Sequence, residues 1–338
     1  MNFSGKKARR LRNVVISFMI ICMTPLCEKG RMLSGAHSVN TLAGKDLICA
    51  IDLGNDMYGN HGLETGLNYE LMSRFAQDNH CNVRFVAAGR KDNYIDSHPF
   101  YVEPFHVDFT GKIFLGVLGN HLLNAAGNHS QKRGWGIGAL NETQHTWVLS
   151  RLCIEMQEMP KQHEHCEVKT WVESVMKLFT NRNFSISRSD GTVLGYARSV
   201  WAMIDLETRK PCDLLTLYDG DILRYIVPEE KNICPIEGHG RFRFNDPKLV
   251  RTINTYYSDV DINGHINSIK YIEHILDLFS REDFENKQLS RFEIAYKAES
   301  YLGDKLSFYK QVISDEETDI EVRKNESEVV CQAKVYFK

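Results

Sequence analysis

The chain has 338 residues, of which 43% are hydrophobic and 25% are charged, and its formal net charge is −3. This composition is ordinary for a globular protein with room for two domains or two repeats. The body of the chain has no basic, aromatic-interleaved tract, which argues against a nucleic-acid-binding protein. The nine cysteines form no C-x-x-C pair, so we expect neither a zinc ribbon nor a redox dithiol, and we interpret the later ones as reduced structural thiols.

A signal-like leader is predicted at residues 1–30. Five lysines and arginines precede an apolar run at 14–23, which suits a signal peptide and is too short to span a bilayer. Pro25 and Cys27 end the run. The pattern predicts export, and an uncleaved leader without structure is the alternative.

The pattern of apolar residues in 44–97 predicts a short α/β segment, with strands at 47–51 and 81–87 and a helix at 68–78 between them. The run G-L-E-T-G-L-N-Y-E-L-M-S-R-F-A in this segment resembles the opening of an extracellular solute-binding domain. About fifty residues are too few for the two lobes of such a domain. We therefore interpret 44–97 as a truncated fragment and assign it no ligand-binding residue.

The next part predicts a strand at 101–109, a helix at 113–129, and strands at 146–156, 166–175, 177–188 and 193–205. Asp190-Gly191 indicates a hairpin turn between the last two strands. Gly116 and Gly119 lie inside the predicted helix, where glycine costs about 1 kcal/mol relative to alanine. Close approach of another backbone or of a ligand chain would justify them, and simple helix ends are the alternative.

The same order of elements then recurs. A strand is predicted at 251–258, a helix begins after Asn267, and strands follow at 291–297, 305–313, 319–324 and 328–337. A helix with one apolar face needs a sheet to cover it. The repetition predicts an α+β fold, a tandem (double) hot-dog, with repeats at 98–215 and 238–338 and a proline-rich linker at 211–246.

Between the predicted strand and helix of the second repeat lies D-I-N-G-H-I-N, residues 261–267. Its alternate residues are Asp261, Asn263, His265 and Asn267. In an extended segment alternate side chains share one face, so we expect a carboxylate, two amides and an imidazole on one surface beside the start of a helix. Such a display of reactive groups is typical of an active site.

The longer run T-I-N-T-Y-Y-S-D-V-D-I-N-G-H-I-N-S-I-K-Y-I-E resembles the acyl-acyl carrier protein (acyl-ACP) thioesterases of plants and bacteria. Three further runs resemble the same family: W-V-L-S-R-L-C-I-E-M, A-R-S-V-W-A-M-I-D-L-E-T-R-K-P and F-E-I-A-Y-K-A-E-S. Together they extend over about 98–338. The resemblance implies that the first repeat, which lacks D-x-N-x-H, supplies the acyl pocket. Substrate contacts are then expected at Gly116, Gly119, Trp135 and Asn267, although Trp135 also suits a plain loop and Asn267 a helix cap.

The resemblance also assigns roles in thioester hydrolysis. Glu299 matches the family's catalytic carboxylate and would activate water, while His265 would bind that water or protonate the leaving thiolate. Asn263 would hold the substrate or water, Asp261 would orient Asn263 or His265, and amides at the start of the helix would face the carbonyl oxygen. Plant members often have Cys after the Glu, but Ser300 stands here, which favours attack by water over a covalent acyl-enzyme.

The implied partner is acyl-ACP, with no metal or other cofactor, and a homodimer is left open. Two other hot-dog activities, an acyl-CoA thioesterase and a hydroxyacyl dehydratase, fit the same pattern. If residues 1–97 are a functional export signal and binding module, the protein would instead be an exported binding or cell-wall protein. An acyl carrier protein substrate predicts a cytoplasmic location, in conflict with the leader, and a gene fusion would reconcile the two.

Overall fold

The computed structural model describes residues 94–338 together with residues 46–51, 74, 77 and 82–87. The chain divides into two units, 1–93 and 94–338. In the first unit, β1 (Asp46–Ile51) pairs in parallel with β2 (Asn82–Ala87), and positions 74 and 77 are helical. Both strands were predicted, and a parallel pair requires a crossover connection such as the predicted helix. The signal-like leader lies outside the described residues.

The second unit is built on one continuous ten-stranded antiparallel sheet, in the order β3-β5-β6-β7-β4-β9-β12-β11-β10-β8. Its strands are β3 (Asp96–Tyr101), β4 (His145–Met156), β5 (His165–Val175), β6 (Phe179–Arg188), β7 (Val193–Asp205), β8 (Lys248–Asn254), β9 (Leu289–Tyr296), β10 (Lys305–Val312), β11 (Glu317–Lys324) and β12 (Glu328–Phe337).

The two halves of this sheet have the same internal order. In each half the strand after the central helix lies at the inner edge, and the strand before that helix lies at the outer edge. The inner edges, β4 and β9, pair with each other, with Arg151 opposite Ala295. Two five-stranded repeats are thus related by an approximate twofold at the β4–β9 junction, as the predicted double hot-dog requires.

Each half covers one central helix. Helix α1 (Leu115–Gln131) belongs to the first repeat and α3 (Ser268–Leu276) to the second. Apolar residues of both helices and of both halves of the sheet form a single core, in which Leu118, Leu122 and Ile272 are fully buried. Each repeat covers apolar surface of the other in this shared core. Because the stabilisation from burial is proportional to the apolar area removed from water, the two repeats stabilise each other.

Two glycines of α1 allow the central helices to approach closely. A Cβ at Gly116 would lie 2.7 Å from Cγ of Glu273, and a Cβ at Gly119 would lie 2.7 Å from Cδ1 of Ile269. The predicted close approach therefore exists, but side chains of α3 occupy the space that was also considered for a ligand chain. The structure gives both glycines a role in helix packing.

Other predictions for the second unit differ at their ends. The strand expected at 101–109 ends at Tyr101 and is followed by a 3-10 turn, Pro104–His106. The strand expected at 251–258 likewise ends at Asn254 before a second turn, Tyr257–Asp259, where the Asp259 carboxylate accepts from Tyr256 N at 2.8 Å. Side chains that bond to nearby backbone amides favour turns over strands, and this local effect ends both strands early.

Two short helices were not predicted. Helix α2 (Ile137–Glu142) follows α1, and α4 (Arg281–Asn286) follows α3. Helix α4 begins at a capping box between Ser280 and Asp283. It is only six residues long and has an ordinary composition, so the sequence did not indicate it. Within the part of the chain that the structure describes, no helix is long and apolar enough to cross a membrane.

The predicted linker between the repeats is mostly irregular, with 3-10 turns at Leu217–Tyr225 and Glu229–Lys231. It crosses the outer face of the sheet, where Asn232 accepts from Trp171 Nε1 at 2.9 Å and Gly240 N donates to Glu293 at 2.7 Å. The linker thus satisfies buried polar groups on both halves of the sheet.

Candidate active site

Residues 261–267, here called the site loop, form a tight turn. Val260 and Ile266 are bridged, and Asp261 N donates to His265 O at 2.8 Å. Gly264 has φ +80°, a conformation that favours glycine. The predicted extended segment is therefore wrong, and Ile262 is 97% exposed at the tip of the loop.

The Asp261 carboxylate holds this turn together. Its Oδ1 accepts from the backbone N of Asn263 at 2.8 Å and from that of His265 at 3.2 Å. These bonds fix the backbone that carries both side chains. The amide of Asn263 is exposed on the loop, where it is accessible to a ligand.

Glu299 reaches the site loop by the path of the chain after β9. Ser300 O accepts from Ile266 N at 2.8 Å, and Tyr301 is bridged to His265. This short pairing brings Oε2 of Glu299 to 3.4 Å from Nε2 of His265. The side chains are 34% and 25% exposed, respectively, so water can reach both groups.

Three other side chains surround Glu299. Arg209, in the turn after β7, forms an ion pair with its carboxylate. The hydroxyl of Tyr301 donates to Oε2 at 3.2 Å, and the ammonium of Lys324 donates to the backbone oxygen at 3.0 Å. Burial and then the negative charge of Glu299 raise the pKa of Tyr301, which keeps its hydroxyl protonated as a donor.

Asn267 is the N-cap of α3. Its Oδ1 accepts from Ile269 N at 2.9 Å, and its backbone oxygen accepts from Lys270 N at 2.9 Å. The structure gives Asn267 this capping role, the alternative considered beside substrate contact. The amides at the start of α3 were expected to face the carbonyl oxygen of the substrate. Ile269 N and Lys270 N already bond to Asn267, so Ser268 N is the remaining donor of this first turn.

The first repeat contains a second copy of the same turn. Oδ1 of Asp108 accepts from Thr110 N at 2.7 Å and Lys112 N at 3.4 Å, and Gly111 has φ +74°. Asp108 and Gly111 thus correspond to Asp261 and Gly264, but threonine and lysine replace the Asn and His. Because the copy without the chemistry keeps the aspartate, we interpret Asp261 as a residue that shapes the loop.

The same correspondence locates the counterpart of the carboxylate. Ile113 N donates to Pro160 O at 2.8 Å, as Ile266 N does to Ser300 O. Met159 therefore occupies the position of Glu299 in the first repeat, and it is buried. At this position the second repeat has a carboxylate and the first has a thioether.

Ser300 is unsuited to be a nucleophile in this conformation. It is 1% exposed, and its hydroxyl points into the protein near the buried hydroxyl of Tyr271. Burial raises the pKa of Tyr271, which stays protonated. Among the described residues, neither hydroxyl completes a hydrogen bond of normal geometry. The accessible groups at the site are those of Glu299 and the site loop.

A cavity of about 220 Å³ lies beside the second half of α1, in the first repeat. Trp135, Trp147 and Trp201 line it, whereas Asp261, Asn263, His265 and Glu299 are not among its lining residues. The predicted tunnel residue Trp135 is thus a lining residue of this cavity, whereas Gly116 and Gly119 are not. Its place between helix and sheet makes it the candidate pocket for an apolar chain.

The described residues contain no group of three or more His, Cys, Asp or Glu arranged to hold a metal ion. His163 belongs instead to an aromatic cluster, where its Nδ1 lies 2.6 Å from the hydroxyl of Tyr101. Residues 94–338 contain five cysteines, all of them unpaired, and Cys153, Cys166 and Cys331 are buried. A structural role for these five thiols stays a prediction.

Comparison with known proteins places this site in a family. The model of the acyl-ACP thioesterase N-terminal domain matches residues 95–218, and that of the C-terminal domain matches residues 245–338. An acyl-ACP thioesterase of solved structure from Bacteroides thetaiotaomicron is 55% identical to this chain, with a TM-score of 0.69; the match covers 73% of this chain and 99% of that protein. The chain belongs to the acyl-ACP thioesterase family.

More distant acyl-ACP thioesterases share the fold. The 12:0-ACP thioesterase from Umbellularia californica aligns over 73% of this chain and 98% of its own, with 18% identity and a TM-score of 0.66. The palmitoyl-acyl carrier protein thioesterase of Gossypium hirsutum is 26% identical over 72% of this chain and 60% of its own length. The oleoyl-acyl carrier protein thioesterase 2 of Arabidopsis thaliana is 24% identical over 63% of this chain and 62% of its own length. The chain thus spans about 60% of these plant relatives.

Two groups of the site were not assigned from the sequence. Arg209 lies within a run that resembles acyl-ACP thioesterases, but its contact with Glu299 joins residues 90 positions apart. Tyr301 directly follows the family motif and lies two residues after Glu299. The sequence offered two signals: a charged residue in a turn at the repeat junction, and an aromatic residue beside the proposed catalytic carboxylate. Both features are common in proteins, so neither one alone identifies a site residue.

Proposed function

We propose that the protein hydrolyses the thioester of fatty acyl-acyl carrier protein and releases the free fatty acid. The observation that carries this proposal is the 3.4 Å contact between Glu299 and His265 in a water-accessible site. The names of the relatives, which are thioesterases acting on acyl-ACP, supply the substrate class.

In the proposed reaction, the Glu299 carboxylate accepts a proton from water while the water oxygen attacks the thioester carbonyl carbon. The carbon–sulfur bond of the resulting tetrahedral species then breaks. The proton passes from the protonated Glu299 carboxyl group to the neighbouring His265, and from His265 to the leaving thiolate. Water and the thioester are thereby converted into a carboxylic acid and a thiol. Arg209 and Tyr301 hold the carboxylate in place, since each contacts one of its oxygens.

Negative charge develops on the carbonyl oxygen in this reaction and needs a donor. The exposed amide of Asn263 and the backbone N of Ser268 are the nearest candidates on the site loop and at the start of α3. The positive end of the α3 dipole adds to their effect. The cavity beside α1 would hold the acyl chain.

Replacing Glu299 by Gln tests the proposal because it removes the base and keeps the shape. We expect single-turnover cleavage of an acyl-ACP to slow by about a hundredfold or more, the usual contribution of a positioned general base. Product analysis by chain length on purified enzyme, with acyl-CoA and 3-hydroxyacyl substrates in parallel, separates this activity from the other hot-dog reactions. Undiminished cleavage by Glu299→Gln would remove the carboxylate from the mechanism.

The substrate also bears on location and assembly. Because acyl carrier protein is the proposed partner, we propose that the enzyme acts in the cytoplasm, and cell fractionation tests this against the export predicted from residues 1–30. An acidic carrier would meet the positive charges of Arg209 and Lys324 near the site. A homodimer stays a prediction, which analytical ultracentrifugation tests.

A further inference from the structure

The cavity beside α1 is not uniformly apolar. Toward the middle of the helix it is lined by Leu123, and toward the end of the helix by Ser130. These positions are separated by about 10 Å along the helix axis, at 1.5 Å per residue. The cavity also extends across the sheet, from Trp147 on β4, the strand that pairs with β9, to Arg182 on β6, two strands farther from the second repeat. The polar end is the far end.

At that far end lies the guanidinium of Arg182, on β6. The residue is 6% exposed and lines the cavity. Its Nη1 donates to Thr170 Oγ1 at 3.2 Å, and its Nη2 donates to Ser130 Oγ at 3.3 Å and to His129 Nδ1 at 3.4 Å. A guanidinium has five N–H donors, so these three bonds leave the Nε–H and one Nη1–H without an acceptor among the described residues.

Arg182 also lacks a carboxylate partner within ion-pair distance in the described part of the chain. The nearest acid, Asp96, is held by Arg133 at 2.9 Å and Lys132 at 3.2 Å. Burial, together with the charges of Arg182 and Arg133, lowers the pKa of His129 to about 2, so this neighbour is neutral. Burial lowers the pKa of Arg182 to about 9, which leaves it charged at neutral pH.

A plain hydrocarbon chain would cover this group without satisfying it. Buried donors left without acceptors are costly, and hydrogen bonds to charged groups are among the stronger ones in proteins. We propose that the cavity accepts an acyl chain carrying an oxygen near its far end, and that Arg182 donates hydrogen bonds to this oxygen. The inference rests on the proposed function and specifies its substrate class. Hydroxyl, keto and carboxyl groups share the required acceptor chemistry.

The experiment compares acyl-ACPs of equal chain length that are unsubstituted, ω-hydroxylated, ω-1-keto or ω-carboxylated, across a series of lengths. For the wild-type enzyme we expect kcat/KM for at least one oxygenated chain to exceed that for its plain counterpart by roughly tenfold, the size of one hydrogen bond to a charged group. Arg182→Met should abolish or reverse that ratio, and Arg182→Lys should retain part of it. Each ratio is taken within one protein, so a lower folded fraction does not affect it.

Arg198→Met is the matched control. Arg198 pairs across β6 and β7 with Asn183, the neighbour of Arg182, and so points to the opposite face of the sheet, where it binds Glu173. This variant also removes a largely buried arginine but should leave the substrate ratio unchanged. Plain chains preferred at every length, or a ratio equal in wild type and Arg182→Met, would overturn the inference.

The inference and the proposed function fail in different ways. If no acyl-ACP is hydrolysed, the proposed function is lost. Calorimetric binding of the free ω-hydroxy acid against the unsubstituted acid then decides the inference alone. Tighter binding of the hydroxy acid that disappears in Arg182→Met supports it, and equal binding contradicts it.

Discussion

At the residue scale, the site separates side chains that shape the backbone from those proposed to take part in the reaction. Asp261 and Asp108 make the same bonds to backbone amides in the two repeats, but only the second loop carries Asn263 and His265. An aspartate shared by the active and inactive copies is explained by the turn alone. Its effect on catalysis is therefore indirect, through the position of the loop.

Substitution of Asp261 tests this distinction. Asp261→Ala should lower the free energy of unfolding by about 1–2 kcal/mol, because two amides of the turn lose their acceptor, and it should also lower kcat. Asp261→Asn keeps an acceptor oxygen and should retain most of both. Urea unfolding and steady-state assays measure the two effects.

Asp108→Ala is the control for that experiment, because it removes the corresponding bonds from the loop without chemistry. We expect a similar loss of stability with kcat unchanged. If Asp261→Asn were as inactive as Glu299→Gln, the aspartate would have a direct role and this interpretation would be wrong.

At the element scale, the sequence predicted most strands and both central helices. The strand Val193–Asp205 has the predicted bounds, because strong alternation and a clear Asp190-Gly191 turn define it locally. The 3-10 turns before each loop were missed, since short side-chain bonds to the backbone end the strands there. Asp261, Asn263 and His265 were proposed from their alternation and Glu299 from the family resemblance. The structure brings Glu299 and His265 together, although the extended geometry assumed for the loop was wrong.

The contact between α1 and α3 can be tested with glycines of the same helix. Gly127→Ala adds a methyl group that meets nothing within 4 Å and should raise the free energy of unfolding by about 1 kcal/mol through helix propensity. Gly119→Ala adds a methyl group 2.7 Å from the Ile269 side chain and should give no gain or a loss. Thermal and urea unfolding compare the two.

A double substitution shows whether the Ile269 contact is responsible. Shortening the neighbour with Ile269→Val should recover part of the gain in the Gly119→Ala background, beyond the sum of the single effects. Strict additivity would mean that the two helices are not in contact at this point.

At the scale of the whole molecule, the candidate active site is formed by residues of both repeats. Glu299 comes from the second repeat and Arg209 from the first, and they meet because β4 and β9 are neighbours. No local pattern could predict this pair, since it depends on which strands lie side by side at the junction. The same is true of the buried Arg182 at the end of the cavity.

Arg209→Gln measures the contribution of the first repeat to the chemistry. We expect kcat to fall by roughly tenfold, the effect of a partly exposed contact that holds the carboxylate in position. Lys210→Gln, an exposed neighbour with no contact to Glu299, should leave kcat unchanged. Equal activities of the two variants would show that the carboxylate is positioned without help from the first repeat.

The pH dependence of stability reports on the buried His129. Its pKa is about 2 in the folded protein and about 6.5 when unfolded, so only the unfolded state takes up a proton as the pH falls below 6.5. Stability from this group is present above that pH and is lost below it, at up to about 1.4 kcal/mol per pH unit. Urea unfolding from about pH 7 to about pH 5 should show a shallower slope for His129→Gln than for wild type. Equal slopes would contradict burial of a neutral imidazole.

The idle loop of the first repeat bears on how such proteins evolve. An ancestor made of two identical subunits would have carried a reaction centre in each. Here the turn at Asp108–Ile113 survives intact, while the position that would need a carboxylate, Met159, is sealed from solvent. If the two repeats arose by duplication within one chain, the second centre kept its turn and lost a water-accessible carboxylate, which would free that half of the molecule to hold the proposed acyl chain.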